Sequence, residues 1–326
     1  MKVLLTGATG YLGTRVASRL VAAGHEVAAL VRPGAAARIP SGVAALPGDL
    51  SDPIGLKSAL RGREGLVHMA ALVRNWSRDP RDFDRVNVEG LVLLLRAAEE
   101  SRLERIVYTS TIVALGPTDG AVRDETGERT DFRFRTDYER TKWLADRMVR
   151  EKAAAGLPII VVYPGVIYGP GGKTEGNLLR RTFEDTLARR LRFRLGRGDL
   201  RICYAFIEDV AEGHRLALER GVSGGGYILG GENATQTELF GMLEQLTGVP
   251  PPRWSLPYAP AEAAGWVMRQ LARITGRPPL FTEGVVGTFR HEWAYSSRRA
   301  ETDLGYRITP LRDGLRRTLE SLRGGA

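Results

Sequence analysis

The opening of the chain, Val3 to Gly13, reads VLLTGATGYLG and restricts the possible folds more than any other stretch. Val3, Leu4, Leu5 and Thr6 lack the alternation of a half-exposed strand, so they predict a short strand buried on both faces. Gly7, Gly10 and Gly13 follow at intervals of three. From Tyr11 to about Ala23 the apolar spacing is helical, and Gly24 marks its end. Strand, glycine turn and helix form the context in which such a pattern binds a nucleotide. Gly7 permits the sharp turn, Gly10 lets a pyrophosphate approach bare backbone, and Gly13 lets the helix pack on the strand. The amino end of the helix then offers N–H donors and its positive dipole end to the diphosphate. Gly7, Thr9, Gly10, Tyr11, Leu12 and Gly13 are the candidate contacts.

A chain of 326 residues, 43% hydrophobic, can bury one large core or a core with a smaller appended lobe. No apolar run approaches the ~18 residues that span a bilayer. The longest, 159–172, is broken by Pro164, Gly165, Gly169 and Pro170. The first strand begins at Lys2 and meets glycine within five residues, unlike a secretory signal, so a cytoplasmic location is expected. Cys203 is the only cysteine, which excludes an intrachain disulfide and a cysteine metal cluster. No metal is expected. The formal charge of +9 is carried by arginine, since only five of the 47 basic residues are lysines. The arginines are dispersed, and no basic helix interleaved with aromatics suggests a nucleic-acid partner. An anionic cofactor or substrate could draw on part of this surface.

His25 to Val31 predicts the second strand of a β-α-β unit. An acid at its end would hold the ribose 2′-hydroxyl of NAD, whereas an arginine suits the 2′-phosphate of NADP. Val31 is followed by Arg32 and then Pro33-Gly34, so NADP(H) is favoured over NAD(H). Val43 to Leu46 and Gly65 to Met69 predict the next two strands, with Ser51 and Asp52 placed to cap a helix at Pro53. The second of these strands ends in HMAA. Its small residues leave room for cofactor at Met69, Ala70 and Ala71, and His68 reads as a packed strand residue. Pro80 to Glu100 has helical spacing. Arg105 to Tyr108 predicts a fifth strand, which delivers Thr109, Ser110 and Thr111 to the carboxyl edge where open α/β sheets place their chemistry. The charged loop from Gly116 to Thr136 has no periodicity, and loops of that length in compact domains are often functional.

Tyr138 and Lys142 then stand at i and i+4 on a predicted helix, which puts phenol and ammonium on one face. A neighbouring ammonium would lower a tyrosine pKa from about 10 toward the range useful for general acid catalysis. With five lysines and ten tyrosines, this spacing is expected only about 0.15 times by chance. The helix extends to about Ala155, and Ile159 to Val162 predicts a sixth strand leading into YPGVIYGPGG.

These motifs, with YTSTIVALG at 108–116, FIEDVAEGH at 206–214, GGYILGG at 225–231 and SSRRAETDLGYR at 296–307, resemble the extended short-chain dehydrogenase/reductase family of epimerase/dehydratase type. The resemblance covers nearly the whole chain. It implies an α/β fold: a Rossmann-type doubly wound parallel sheet with a smaller C-terminal α/β substrate lobe. The dinucleotide domain would be 1–164 with 203–220 returning to it, and the substrate lobe 165–202 and 221–326. It further implies that Thr111, with Ser110, holds the substrate oxygen, and that Asn87 supports a proton relay. Asp49 and Leu50 would lie beside the adenine, Pro164 and Val166 beside the cofactor, and Tyr138 and Lys142 would hold the nicotinamide ribose. A homodimer through helices 80–100 and 137–155 is implied as well; Leu94 and Met148 suit that contact and equally suit packing on the sheet.

The reaction stays open between branches of that family. A 4,6-dehydratase is disfavoured, because Ile112-Val113 replaces the expected Asp-Glu. An NDP-sugar epimerase with tightly bound NAD is supported by YGPGG and Asn177-Leu178, but Tyr163, Val166 and Ile202 depart from its pattern. A ketone/alcohol oxidoreductase like dihydroflavonol reductases and 3β-hydroxysteroid dehydrogenases fits VRPG at 31–34. The aromatic tail of Trp254, Tyr258, Trp266, Phe281, Phe289 and Trp293 could line an apolar pocket or form lobe core. Hopanoid-associated sugar epimerases share the overall pattern, and a non-catalytic dinucleotide sensor is the remaining alternative.

Overall fold

Twelve strands are present in a computed structural model that describes residues 1–172, 174 and 176–324. The first six are β1 (Lys2–Thr6), β2 (Glu26–Val31), β3 (Val43–Pro47), β4 (Gly65–His68), β5 (Arg105–Thr109) and β6 (Ile159–Pro164). The others are β7 (Val166–Tyr168), β8 (Phe193–Leu195), β9 (Arg201–Phe206), β10 (Gly226–Leu229), β11 (Asn233–Thr235) and β12 (Trp254–Leu256). The large sheet has the order β10-β6-β5-β4-β1-β2-β3, with every neighbouring pair parallel. Strand order reverses between β1 and β4, which opens a crevice at the carboxyl ends of those strands. This is the Rossmann-type α/β fold expected.

Alternate side chains of β1 explain the two layers. Leu4 joins a core with Leu56, Leu66, Leu91 and Ile106 on one face. Val3 and Leu5 join Val16, Leu20, Val27 and Val67 on the other. Both faces are covered, as a purely parallel sheet requires. The lobe has its own core of Tyr168, Phe183, Phe206, Leu239 and Leu315, beneath a three-stranded sheet β11-β9-β7.

Two strands fall on a different side of the expected domain division. β9 joins the lobe sheet, and the return to the core is made by the helix Ile207–Arg220, which packs on Tyr11–Ala22. β10, placed with the lobe from sequence, is the edge strand of the large sheet beside β6. Its Tyr227, Ile228 and Leu229 are fully buried, and pairing with β6 provides apolar cover for all three.

The predicted helix 80–100 is interrupted. Helical turns at Arg81–Asp84 and Gly90–Glu99 flank a π turn, Arg85–Glu89. Leu94 lies in the sheet core, and the half-buried Met148 packs against it. The 116–136 loop is pinned by Arg129, which donates to the Val113 carbonyl at 2.9 Å and forms a buried ion pair with Glu139.

Candidate functional site

The glycine turn is built to leave backbone bare. Gly7 has φ +78°, and a Cβ there would sit 2.7 Å from the Ala70 nitrogen. A Cβ on Gly13 would lie 2.0 Å from the Gly7 carbonyl oxygen, closer than any side chain can stand. The helix Tyr11–Ala22 begins at Gly10 with no side-chain cap and no acid in its first turn. Those first N–H groups are orphans of the kind a diphosphate satisfies. The donor set therefore fits a dinucleotide. Thr9 is half-buried beside Gly10. The side chains of Tyr11 and Leu12 are not free for a ligand. The Tyr11 hydroxyl donates to the Gly169 carbonyl at 2.9 Å, and Leu12 packs into the core, so their part is backbone N–H only.

The other candidate contacts line the same carboxyl edge. Thr6 ties β1 to the segment after β4: its carbonyl accepts from Met69 N at 3.1 Å and its hydroxyl from Ala70 N at 3.3 Å. Ala71 follows, half-buried. Arg32 is exposed just past β2. Asp49 accepts from Ser51 N and Ser51 Oγ, which hold its carboxyl below the usual range, with a smaller lowering from Arg32. Leu50 packs against Gly90. Pro164 is buried at the end of β6, and Val166 opens β7 opposite Tyr204.

Tyr138 and Lys142 lie in the first two turns of Asp137–Ala154, capped by the Thr136 side chain on Glu139 N. Thr111 leaves β5 as the N-cap of the short helix Ile112–Leu115, where its hydroxyl accepts from Val113 N at 3.3 Å and lies beside the Tyr138 phenol. Burial pushes the Tyr138 phenol up to about 12, and the Thr111 hydrogen bond pulls partly back. Lys142 is buried, and its Nζ donates to the Thr109 carbonyl at 2.7 Å and to Tyr108 Oη at 3.2 Å. Burial brings its ammonium down to about 8. The Lys142 ammonium is thus held by β5, on the Thr109 carbonyl and the Tyr108 phenol.

Ser110 and Asn87 are both held by hydrogen bonds within the protein. Ser110 Oγ donates to Asp146 Oδ1 at 2.8 Å, one helical turn beyond Lys142. Asp146 in turn accepts from Arg150 at 2.9 Å. Asn87, in the π turn, accepts from Leu72 N at 2.7 Å and donates to Thr141 Oγ1 at 3.1 Å. It clamps the segment after Ala71 to the Tyr138 helix. The extra residue of a π turn, a feature common at functional sites, delivers that amide to both partners.

Three further residues complete the cluster. Tyr108 carries Lys142 over its ring at 4.8 Å and stacks on His68 at 5.8 Å. His68 pairs with Thr6 Oγ1 at 2.6 Å, and burial first, then the Lys142 charge, bring its pKa down to about 3, so it stays neutral. That is the packed strand histidine expected. Asp146 was legible as the next i+4 position after Tyr138 and Lys142; Tyr108 had no spacing to single it out. Of the aromatic tail, Trp293 is buried with Nε1 on the Thr288 carbonyl, and the Tyr258 hydroxyl donates to Phe289. Trp254 and Trp266 face outward.

With this geometry in view, residues 3–230 match the NAD dependent epimerase/dehydratase family, and the chain belongs to it. It is an NAD(P)-dependent enzyme of the extended short-chain dehydrogenase/reductase type. Among its relatives, sterol demethylase protein B of Methylococcus capsulatus is 34% identical over 260 residues, covering 79% of this chain and 78% of the relative. The 2-alkyl-3-oxoalkanoate reductase of Stenotrophomonas maltophilia is 30% identical over 331 residues, covering 97% and 98%. The crystal structure of gox2253 superposes with a TM-score of 0.86 at 34% identity, over 100% of this chain and 98% of that one. UDP-glucose 4-epimerase of Thermotoga maritima shares the fold at 20% identity, with a TM-score of 0.80 over 100% and 99%.

Proposed function

We propose that the protein exchanges a hydride between NADP(H) and the carbonyl or secondary alcohol carbon of a small apolar substrate. The observation that carries this reading is the Thr111–Tyr138 hydroxyl pair at the carboxyl edge of β5, with buried Lys142 one turn along. When bound, a reduced dinucleotide would supply the hydride to the carbonyl carbon. Tyr138 gives its phenolic proton to the oxygen, and Thr111 donates a hydrogen bond there as negative charge develops. Burial raises the Tyr138 phenol above its ordinary value, and the Lys142 ammonium one turn along would favour the phenolate electrostatically in the working complex. Gly7, Gly10 and the first N–H groups of the helix would hold the diphosphate, and Arg32 the 2′-phosphate. Dimerisation across the outer faces of the 81–99 and 137–154 helices belongs to the same reading, and sedimentation velocity tests it.

Arg201 weighs against a sugar-nucleotide substrate. It stands beside the position where an arginine would grip a second diphosphate, yet it is spent on Glu292 through contacts of 2.9 and 3.1 Å. Relatives named as reductases of alkyl-oxoalkanoates support the apolar choice. Tyr138→Phe should leave NADPH binding within about twofold and lower kcat by about a thousandfold or more. Turnover within tenfold of wild type would remove the assignment.

A further inference from the structure

The helix Tyr258–Thr275 is oriented against the usual logic of burial. Its inward face is made of small residues: Ala261, Gly265 and Ala272 are buried, and Gly265 packs directly on the backbone of Glu283. Its outward face holds the bulky apolar residues. Trp266 is 52% exposed, Val267 48%, Leu271 54% and Ile274 81%, and Leu280 lies exposed just beyond the helix. On a helical wheel Trp266, Val267, Leu271 and Ile274 share one broad stripe with Ala263 and Gln270. A soluble surface rarely presents so many large apolar side chains together without a ligand for them.

The charges at the carboxyl end of the stripe are basic. Arg273 and Arg277 lie at its carboxyl end, and the Arg78 guanidinium rests against Gly276. Among the described residues no carboxylate pairs with any of these three. The two acids near the helix are already engaged, Glu262 with Arg290 and Glu283 with Arg269. We propose that this face seats the protein on an anionic lipid surface, with the apolar stripe in the acyl boundary and the three arginines among the head groups. Among the described residues no helix is long and apolar enough to cross a membrane, and the proposed association is interfacial.

The position gives the contact a use. Gly284, in the short helix packed against this one, lies on the Arg135 carbonyl, three residues before Tyr138. At its other end the helix meets Arg78, on the segment that follows Ala71. Both segments border the candidate site, so a seated protein would open its site at the lipid boundary, where an apolar carbonyl compound concentrates. This last step rests on the proposed apolar substrate; the seating itself does not.

Flotation with vesicles of phosphatidylcholine, with and without 30 mol% (about one lipid in three) phosphatidylglycerol, tests the seating without turnover. The wild type should float with anionic vesicles and be released by salt. Leu271→Asp/Ile274→Asp should lower partitioning by about a hundredfold. Arg273→Gln/Arg277→Gln should lower it by roughly fivefold per residue on anionic vesicles alone. Both variants should keep wild-type Tm and wild-type NADPH affinity. Wild-type protein that stays in the aqueous fraction with anionic vesicles overturns the proposal. So does equal flotation of Leu271→Asp/Ile274→Asp. If the wild type instead sediments as a dimer that this double variant splits, a second copy covers the face and the lipid assignment is wrong. Failure of Tyr138→Phe to lower turnover would leave these outcomes unchanged.

Discussion

Replacing Lys142 by methionine should make the protein more stable at neutral pH while abolishing turnover. Lys142 is 4% exposed, and burial brings its pKa from 10.5 to about 8. Keeping it charged at pH 7 therefore costs about 3 kcal/mol. Methionine removes that cost in a side chain of similar length. Losing the bonds to the Thr109 carbonyl and Tyr108 hydroxyl returns about 1–2 kcal/mol. The net gain is about 1–2 kcal/mol, or a rise in Tm of roughly 1.5–3 °C. The pH dependence separates this account from a generic packing effect. Between about pH 8 and 10.5 the unfolded wild type keeps a proton that the folded wild type has released, so wild-type stability climbs with pH. The advantage of Lys142→Met should thus be full below pH 8, shrink through that window, and vanish or reverse by pH 10.5. Urea unfolding followed by circular dichroism at pH 7, 8.5 and 10 measures it (conditions spanning roughly the titration window). A variant less stable than wild type at pH 7, or a difference that ignores pH, refutes the reasoning.

Gly13→Ala puts a methyl 2.0 Å from the Gly7 carbonyl, so the helix must move off β1. It should cost about 3 kcal/mol or more and abolish NADPH binding, as denaturation and isothermal titration would show. Asn87→Ala leaves the Leu72 N–H without its acceptor and should cost about 1–3 kcal/mol, with a raised KM for the dinucleotide measured by initial rates. Wild-type stability in that variant would dismiss the clamp. Arg32→Ala should weaken NADPH binding about tenfold and NADH binding less than twofold; a wild type that prefers NADH rules out the 2′-phosphate contact.

What was legible in the sequence follows from how each element is stabilised. The buried parallel strands are apolar runs, so β1, β2, β4, β5 and β6 stood within a residue or two of their predicted bounds. Local spacing also carried the glycine turn, the Asp52 cap on Pro53 and the shared face of Tyr138 and Lys142. Contacts between distant segments were not legible. GGYILGG is buried by a parallel partner more than sixty residues earlier, and nothing in its own composition names that partner over the lobe. Lys142 is held by residues 33 and 34 positions away, so its distance from Tyr138 along the helix said nothing about where its charge would rest. Ser110 and Thr111 are adjacent hydroxyls with separate fates. Thr111 turns out of the strand as a helix cap toward Tyr138, while Ser110 reaches Asp146 two turns further along the same helix.

The places where local preference loses share one region. A charged lysine is buried where a neutral side chain would be more stable, an α-helix yields to a π turn at Asn87, and bulky apolar residues face solvent over buried alanine and glycine. Each departure costs stability, and costs of this kind persist where function demands them. Their arrangement is connected. Asn87 joins the Leu72 segment to the helix that carries Tyr138 and Lys142, Arg78 lies six residues beyond Leu72, and Gly284 rests on Arg135 at the start of that helix. The outward apolar face is therefore built on the same segments that fix the hydroxyl pair. A ligand that settles on Tyr258–Thr275 would press on both borders of the candidate site at once.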